Sequence, residues 1–347
     1  MRKIIHLIPY DGVGGVEEAA RSLGSFRDAD MDFELRYLFP HVTSAKDRKK
    51  TNAPLAILRS GIRLAKENPD LVIVSLWRAV AAGLVAKVLN PRLKLVLFVH
   101  NARDSHTLDR LVTRLGLRIC AEVWGDSAAS VETRFSGRPR KPVRVVSYLV
   151  RKLDPLPPAP LAPNFAFWGR LSRQKNLPRA LRFFHHVRHA YPDARFTLIG
   201  PNGDDTDAVH SEIQTLGLGN HVDVLAARPF DTIPPLLRQL GCCFYLQTSH
   251  YEGMSLSVTE AMQLGLVPVV TPVGEIARYA TAGNAVLLDP SDESSDMQTV
   301  TQIADLLHTP GAYETRRSAA ITAWTQSTTY DISMRDTLRK SLSIPEL

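Results

Sequence analysis

The chain has 347 residues, of which 44% are hydrophobic and 22% charged, a composition typical of a globular protein with a large core and long enough for two domains. Its three cysteines lack metal-binding spacing, and no run approaches the roughly 20 apolar residues that cross a bilayer, so we expect a cytoplasmic protein without disulfides or spanning helices. Residues 1–160 carry 27 Lys and Arg against 16 Asp and Glu, and the remainder carries 15 against 19. The basic half suggests an anionic partner, although an evenly solvated basic surface is equally compatible.

Short apolar runs alternate with amphipathic stretches through the first half of the chain. Runs rich in β-branched and aromatic residues predict strands at Lys3–Ile8, Phe33–Phe39, Leu71–Ser75, Lys94–Val99, Ala121–Trp124 and Val143–Ser147. Helical patterns lie between them at Val16–Phe26, Pro54–Glu67, Ala79–Leu89, Thr107–Leu117 and Ser127–Phe135. This alternation predicts a parallel sheet with helices on both faces.

A proline-rich run from Asp154 to Pro163 interrupts the pattern. It sustains neither a helix nor a central strand, so it predicts a semi-rigid linker. The alternation then resumes, with strands predicted at Phe165–Trp168, Arg195–Ile199, Val222–Leu225, Cys243–Leu246, Val267–Val270 and Ala285–Leu288. Helical patterns lie between these strands, near 294–308 and 312–325, and finally from Asp331 to Leu342.

We therefore predict an α/β protein of two Rossmann-like, doubly wound domains that face each other across a cleft. The N-terminal domain is predicted at 1–152, the linker at 153–163 and the C-terminal domain at 164–328, with a last helix at about 329–347 packing back on the first domain. Ligands of such sheets bind outside the carboxyl ends of the strands, so functional residues are expected there.

The first strand leads into a glycine-rich turn, with Gly14 and Gly15 at a helix start. Consecutive glycines let backbone N–H groups approach an anion, so the turn predicts contact with a phosphate or a substrate, although a plain tight turn is also compatible. It is not a dinucleotide fingerprint, because the third glycine position holds Glu17 and the second strand lacks an acidic residue at its end.

Two cations follow the first strand of the second half. Arg170 comes directly after the strand end, and Lys175 lies near the start of the next helix. Charge-assisted donors at a strand end suit a diphosphate. Taken alone, the pair is a weak signal, because Arg and Lys are usually solvated surface residues.

The segment from Glu252 to Gly265 places two carboxylates about a helix start. Glu252 lies in the loop after a predicted strand, the helix begins near Ser255, and Glu260 lies one to two turns into it. The carboxylates could bind hydroxyls at opposite ends of one ligand, while the helix N-terminus faces the ligand's anionic middle. Singly, each is compatible with an ordinary surface acid.

The spacing Glu, seven residues, Glu-Ala-Met, then Gly-x-x-Pro-Val-Val resembles the donor-site signature of the family-four retaining glycosyltransferases, which have the GT-B fold. The resemblance covers essentially the whole second domain and implies that it binds a nucleotide sugar. It implies that Glu252 contacts the transferred sugar and that Glu260 binds the ribose hydroxyls. The backbone groups implied to meet the sugar and the diphosphate are those of Gly253, Met254, Ser255 and Leu256.

The same resemblance assigns roles to residues outside this segment. Arg170 and Lys175 match the family's G-R-x-x-x-x-K pattern, which implies diphosphate binding and stabilisation of the charge that develops there. Gly200 resembles the strand-end glycine near the nucleotide. Gly14 and Gly15 resemble the glycine loop of the N-terminal domain.

His100 follows the predicted strand Lys94–Val99. A lone histidine is more often structural, but in this family a histidine at the end of this strand often faces the reacting sugar. The resemblance therefore implies that His100 hydrogen-bonds the sugar or helps to stabilise an oxocarbenium-like transition state.

The resemblance implies a retaining, metal-independent glycosyltransferase without a cofactor. It would move a hexose from a nucleotide-diphosphate sugar to a hydroxyl of a glycan or lipid-linked glycan, in bacterial surface polysaccharide or lipopolysaccharide synthesis. Two alternatives share the architecture, a sugar-nucleotide 2-epimerase and a non-catalytic GT-B partner subunit. Nucleic-acid binding is not expected, because no stacking aromatics are interleaved with the basic runs.

Two basic stretches of the first half, Ser44–Lys50 and Thr107–Arg118, raise the question of a membrane. The second interleaves leucines with arginines, so the helix could lie peripherally on an anionic membrane surface at the inner face of the cytoplasmic membrane. Leucines that face the core, with solvated arginines, explain the same pattern.

Overall fold

A computed structural model describes residues 1–12, 14–40, 53–100, 104, 106–137 and 139–345. The contacts divide the chain into two compact units. The first comprises Met1–Arg151 with Thr328–Leu347, and the second comprises Lys152–Ser327. The basic stretch Ser44–Lys50 lies outside the described residues.

The first unit is built on a seven-stranded sheet. Its strands are β1 (Arg2–Tyr10), β2 (Phe26–Arg27), β3 (Met31–Phe39), β4 (Leu71–Ser75), β5 (Leu95–Val99), β6 (Glu122–Gly125) and β7 (Val143–Val145). They lie in the order β2-β3-β1-β4-β5-β6-β7, and every neighbouring pair is parallel except β2 and β3. The predicted parallel α/β arrangement is confirmed, and the antiparallel edge strand β2 is an addition to it.

In the described part of the first unit, five helices precede the last strand. They are α1 (Gly15–Leu23), α2 (Ala53–Glu67), α3 (Leu76–Leu89), α4 (Thr107–Ile119) and α5 (Ala128–Arg134). The helix predicted to reach Phe26 ends at Leu23, because Gly24 adopts a left-handed φ of 62°. Phe26 then pairs with Phe33 as part of β2.

Helix α4 buries one face and exposes another. Asp109, Thr113 and Gly116 face the interior, whereas Leu108, Leu111 and Leu115 are 49%, 57% and 40% exposed. The sequence pattern of this helix was also compatible with leucines that face the core. That alternative is wrong for Leu108, Leu111 and Leu115. The other leucine and valine of the stretch, Leu117 and Val112, do pack against the core.

The second unit carries a six-stranded, fully parallel sheet. Its strands are β8 (Phe165–Trp168), β9 (Phe196–Ile199), β10 (Val222–Leu225), β11 (Phe244–Gln247), β12 (Val267–Val270) and β13 (Val286–Leu287). The order is β10-β9-β8-β11-β12-β13. The chain thus builds one half of the sheet outward from β8 and then returns to place β11 beside it. The β8–β11 junction is the topological switch point at which ligands of doubly wound sheets bind.

Seven helices cover this sheet. They are α6 (Leu177–Ala190), α7 (Thr206–Thr215), α8 (Ile233–Gln239), α9 (Leu256–Leu264), α10 (Ile276–Tyr279), α11 (Asp296–His308) and α12 (Ala312–Thr325). A buried ion pair joins α6 to α11. Arg179 donates from Nε to Asp296 Oδ2 at 3.0 Å and from Nη2 to Oδ1 at 2.7 Å, and Nη2 also donates to the carbonyl of Asp289 at 2.7 Å.

The last helix, α13 (Tyr330–Leu342), belongs to the first unit. The Tyr330 ring is buried and lies edge-on to Tyr148 with centroids 5.7 Å apart, and its N–H donates to the carbonyl of Leu149 at 2.7 Å. Arg339 reaches Asp30 at 3.0 Å. The second unit is therefore inserted between two segments of the first.

Candidate functional site

Polar segments follow the two strands of the switch point in the second unit. After β8 the chain passes Arg170 into a 3-10 turn, Arg173–Lys175, and after β11 it passes through a loop to the start of α9. Since β8 and β11 pair in parallel, both segments leave the same edge of the sheet. The fold therefore brings the Lys175 region and the Glu252 region together from positions far apart in sequence.

The Glu252 carboxylate is the centre of a hydrogen-bond cluster and is only 5% exposed. Lys175 Nζ lies 2.7 Å from Oε1, and the Ser249 hydroxyl donates to the same oxygen at 2.7 Å. The amides of Gln247 and Gln174 donate to Oε1 and Oε2, both at 3.3 Å. Donors from both polar segments thus fix the orientation of this carboxylate.

Gln247, the last residue of β11, links this carboxylate to the start of α9. Its Oε1 accepts from the Tyr245 hydroxyl at 2.9 Å and from Ser257 at 3.2 Å, and its Nε2 donates to Ser255 Oγ at 3.0 Å. Burial raises the pKa of Tyr245 well above its usual value, so the phenol remains a donor. The direction of the Gln247 amide is therefore set by its neighbours.

The loop before α9 has a backbone that its neighbours hold in place. Ser255 adopts a left-handed φ of 58°, which is uncommon for a residue other than glycine. The Tyr279 hydroxyl donates to the carbonyl of Met254 at 2.7 Å. Gly274 packs so closely that a Cβ there would lie 2.1 Å from the carbonyl oxygen of Glu252. The first turn of α9, with N–H groups that a helix leaves without intrahelical partners, thus begins beside the Glu252 cluster.

The sequence-predicted residues Gly253, Met254, Ser255 and Leu256 form this loop and the first residue of α9. Glu260 lies farther along α9 and is buried. Its Oε2 accepts a hydrogen bond at 2.8 Å from the indole Nε1 of Trp168, the last residue of β8. Both carboxylates of the segment are therefore positioned by the ends of β8 and β11.

Arg170 is exposed and lies five residues before Lys175 on the loop that follows β8. Gly200 follows β9, and a Cβ at this position would lie 1.8 Å from the carbonyl oxygen of Gly169. Two atoms that are not bonded to each other cannot approach so closely. Only glycine therefore fits between these neighbouring strand ends. Gly200 thereby determines how closely the loop that carries Arg170 approaches β9.

Substitution of Gly200 by alanine is expected to lower the free energy of unfolding by about 1–3 kcal/mol, because the added methyl group overpacks the β8–β9 strand ends. Urea denaturation measures the effect. Gly219→Ala is the matched control, because a Cβ there meets open space and the residue has no left-handed φ. Equal stability of the two variants would contradict this close approach.

Three sequence-predicted residues lie in the first unit. Gly14 is the N-cap of α1 with an extended φ of 174°, and its carbonyl accepts from the N–H of Glu18 at 2.9 Å, while Gly15 begins the helix. The backbone of Gly14 is thus one that any residue adopts. His100 follows β5 with a buried ring whose Nε2 lies 2.8 Å from Ser75 Oγ. Burial, helped by the nearby His6 and Arg134, lowers the pKa of His100 well below its usual value.

The positive charge of the second-unit site comes from Arg170 and Lys175 and from the N-terminal turn of α9. Within the described ranges, no three His, Cys, Asp or Glu side chains lie together as ligands for a metal ion. The arrangement therefore offers an anion two cations and a helix N-terminus, and it offers hydroxyl groups two oriented carboxylates.

Comparison with known proteins adds a family and a fold. The family described as glycosyl transferases group 1 matches residues 159–323, which contain both carboxylates and both cations. The GDP-mannose:cellobiosyl-diphosphopolyprenol alpha-mannosyltransferase of Xanthomonas oryzae pv. oryzae is 24% identical over 157 residues, which are 45% of this chain and 40% of that protein. This chain thus matches less than half the length of that curated relative.

Two solved structures share the fold over nearly the whole chain. The Anabaena protein HepE, in complex with UDP-glucose, is 19% identical with a TM-score of 0.78 and covers 99% of this chain and 100% of its own. Sucrose-phosphate synthase from Thermosynechococcus elongatus is 12% identical with a TM-score of 0.77 and the same coverage. The predicted fold class is confirmed by these similarities.

Proposed function

Since residues 159–323 match the family described as glycosyl transferases group 1, we propose that this protein is a retaining hexosyltransferase that uses a nucleotide-diphosphate sugar. The acceptor would be a hydroxyl of a glycan or lipid-linked glycan in bacterial surface polysaccharide or lipopolysaccharide synthesis. The observation that carries the proposal is the buried Glu252 carboxylate, held by Lys175 at 2.7 Å beside the first turn of α9. A site with this charge distribution suits a ligand with a polyol at one end and a diphosphate in its middle.

Each part of the donor has a complementary group in the site. Glu252 would accept hydrogen bonds from hydroxyls of the transferred sugar, and Glu260 would accept those of the ribose. Lys175, Arg170 and the N-terminal turn of α9 would bind the diphosphate. Negative charge grows on the diphosphate as the glycosidic bond breaks, so these groups bind the transition state more strongly than the ground state.

The environment of Glu252 fits a reaction that retains the anomeric configuration of the sugar without a covalent intermediate. Its oxygens already accept hydrogen bonds from Lys175, Ser249 and Gln174, which is the setting of a binding group more than of a nucleophile. We therefore propose a front-face reaction in which the leaving diphosphate accepts the proton of the acceptor hydroxyl. The two cations and the helix N-terminus supply the positive charge, so metal independence is part of the proposal.

A lipid-linked acceptor is supported by the name of the Xanthomonas relative, which gives a sugar on diphosphopolyprenol as that protein's acceptor. The basic first unit agrees with an acceptor or surface that carries phosphate.

A thermal-shift screen against UDP, GDP, ADP and their sugars tests the donor class. One nucleotide is expected to raise the melting temperature by mass action, and its sugar should then be transferred to an acceptor glycan. Release of an epimerised sugar without acceptor would favour the 2-epimerase. Absence of binding, hydrolysis and transfer with every donor would favour the non-catalytic subunit.

We also propose peripheral contact between the first unit and an anionic membrane, through the outer face of α4. Leu108, Leu111 and Leu115 are spaced to lie on one side of this helix and are exposed, and Arg110 and Arg114 lie exposed between them. The helix has a single acid, Asp109, which is buried against Arg134 at 2.6 Å. Arg110 pairs with Asp104 at 3.1 Å, whereas Arg114 and Arg118 add exposed positive charge to the same helix. Exposed leucines flanked by cationic side chains suit a surface of anionic headgroups over an apolar interior.

The neighbouring helix α2 also exposes leucines beside an arginine. Helices α2 and α4 both pack against α3, and α2 exposes Leu55 and Leu58 next to Arg59. Among the described residues, no helix is both long and apolar enough to cross a bilayer.

Replacement of Leu108, Leu111 and Leu115 together by glutamine is expected to weaken binding to vesicles with anionic lipid by at least about tenfold, because apolar area no longer leaves water. Co-sedimentation measures the effect. Met297→Gln in α11 is a control at an exposed apolar position of the second unit. Unchanged binding of the triple variant, or equal binding to neutral vesicles, would contradict the proposal.

A further inference from the structure

Helix α6 of the second unit carries two histidines whose rings meet one turn apart. His185 and His189 are four residues apart, so they lie on the same side of the helix. Their Nε2 atoms are 3.2 Å apart, and the rings stand nearly perpendicular with centroids separated by 4.7 Å. His189 is exposed and His185 is half-buried, so the two nitrogens meet at the surface of this unit.

The distance between the two nitrogens suits two ligands of one metal ion. Nitrogen ligands of zinc lie about 2.0–2.1 Å from the metal, and a tetrahedral angle then separates two of them by about 3.3–3.4 Å. The observed 3.2 Å is close to that separation, so only a small movement of the rings is needed. A hydrogen bond between the rings gives a similar distance, and a metal ion would replace its proton.

The spacing of the pair is also one that binds zinc in proteins. Two histidines at positions i and i+4 on one face of a helix hold the metal in the H-E-x-x-H motif of metalloproteases. Here the residue after the first histidine is His186 instead of a glutamate, so the general base of that motif is missing. In the ranges that the structure describes, no third His, Cys, Asp or Glu joins the pair as a ligand. The pair can therefore bind an ion together with water, but it lacks the groups for hydrolysis.

The surroundings of the pair both favour and oppose a cation. The two histidines lie near the end of α6, where the carbonyl groups of the last turn favour positive charge. Arg188 is next to His189 in the sequence and opposes it. A ring that binds a metal through Nε2 carries its proton on Nδ1, and Nδ1 of His185 is buried without a hydrogen-bond partner among the described residues. We therefore expect weaker binding than at structural sites with four protein ligands.

We propose that His185 and His189 form a surface site for one transition-metal dication of the zinc class, bound through both Nε2 atoms and completed by water. Imidazole suits Zn²⁺, Ni²⁺ and Cu²⁺, whereas Mg²⁺ and Ca²⁺ take oxygen ligands. The ion would link two successive turns of α6 and so stabilise the folded second unit.

This site is separate from the donor-binding residues. Lys175 precedes the N-terminus of α6, which begins at Leu177. At a rise of 1.5 Å per residue, His185 and His189 lie about 12–18 Å farther along the helix from that end. The ion would therefore not reach the donor diphosphate, and the proposal leaves the reaction itself independent of metal.

Isothermal titration calorimetry with zinc chloride tests the site on the full-length protein, freed of any affinity tag and treated with EDTA before desalting. The expected result is one ion bound per chain. His189→Gln removes one ligand at an exposed position and should weaken binding by at least about tenfold, since even the loss of a residue that only supports a metal ligand costs that much. His186→Gln on the same helix is the matched control and should bind zinc as the natural protein does.

Thermal unfolding supplies a second measurement. Zinc chloride should raise the melting temperature of the natural protein and of His186→Gln, and it should leave that of His189→Gln unchanged. If the natural protein gave neither heat nor a shift, the two rings would only hydrogen-bond to each other. If His189→Gln kept the full affinity, the ion would bind elsewhere. Either result overturns the proposal, and neither measurement depends on sugar transfer.

Discussion

Glu252→Gln is expected to reduce kcat of sugar transfer by about two to three orders of magnitude, the size of effect seen when one oriented electrostatic group is removed from an active site. The substitution keeps the shape of the side chain but removes the charge that faces Lys175 at 2.7 Å. It also places an amide NH2 where one of the carboxylate oxygens accepts from Ser249 or Gln174. Steady-state kinetics with the donor found by the thermal-shift screen measure the loss.

The control for this variant is Glu293→Gln, which removes a partly exposed carboxylate of the same unit that pairs with Arg182 at 2.8 Å. It should leave kcat unchanged. The folded fraction of both variants is compared by circular dichroism, so that a loss of structure is separated from a loss of rate. If Glu252→Gln transferred sugar at the rate of the natural protein, the proposed contact between Glu252 and the reacting sugar would be contradicted.

Arg179→Leu is expected to lower the free energy of unfolding by about 3–5 kcal/mol, because it leaves the buried Asp296 carboxylate without its partner. The guanidinium makes two hydrogen bonds to that carboxylate and a third to the carbonyl of Asp289, so three acceptors lose their donor at once. Urea denaturation followed by tryptophan fluorescence measures the change.

Arg182→Leu on the same helix is the matched control. Arg182 also bridges two acids, Glu212 at 3.0 Å and Glu293 at 2.8 Å, but its side chain is 39% exposed and its pairs are screened by water. We expect a change below about 1 kcal/mol. A similar loss in both variants would mean that burial does not distinguish the two ion pairs.

Much of the fold could be predicted from the sequence, because the spacing of apolar residues indicates strands and helices and because glycines and prolines mark where they end. The buried runs at β4, β5 and β11 are continuous apolar segments, which is typical of parallel strands covered on both faces. The short β2 was not predictable, since two residues carry no period and pair only because Phe33 lies opposite Phe26. The sequence also did not predict which face of α4 points outward. An amphipathic pattern with two apolar stripes does not indicate which stripe packs against the sheet.

The site could be predicted in part. Glu252, Glu260, Arg170 and Lys175 stand out by spacing and by resemblance to a family, and the fold places Lys175 against Glu252. The residues that orient them have no such signal. In the sequence, the residues that do this are ordinary residues at or just after strand ends, namely Trp168, Gln247 and Ser249. They come close to the carboxylates only because β8 pairs with β11. The one available indication of such an orienting residue was a polar side chain at the end of a buried strand, as at Gln247.

The insertion of the second unit between Arg151 and Thr328 has a consequence for biosynthesis. A ribosome makes all of Lys152–Ser327 before it makes α13, whose Tyr330 side chain is buried in the first unit. The second unit is therefore the one whose sequence is complete first, and it can fold while the earlier-made unit still awaits its final helix. During that interval the incomplete unit exposes apolar surface that α13 later covers, so nascent chains stalled before residue 328 should be the species that chaperones bind.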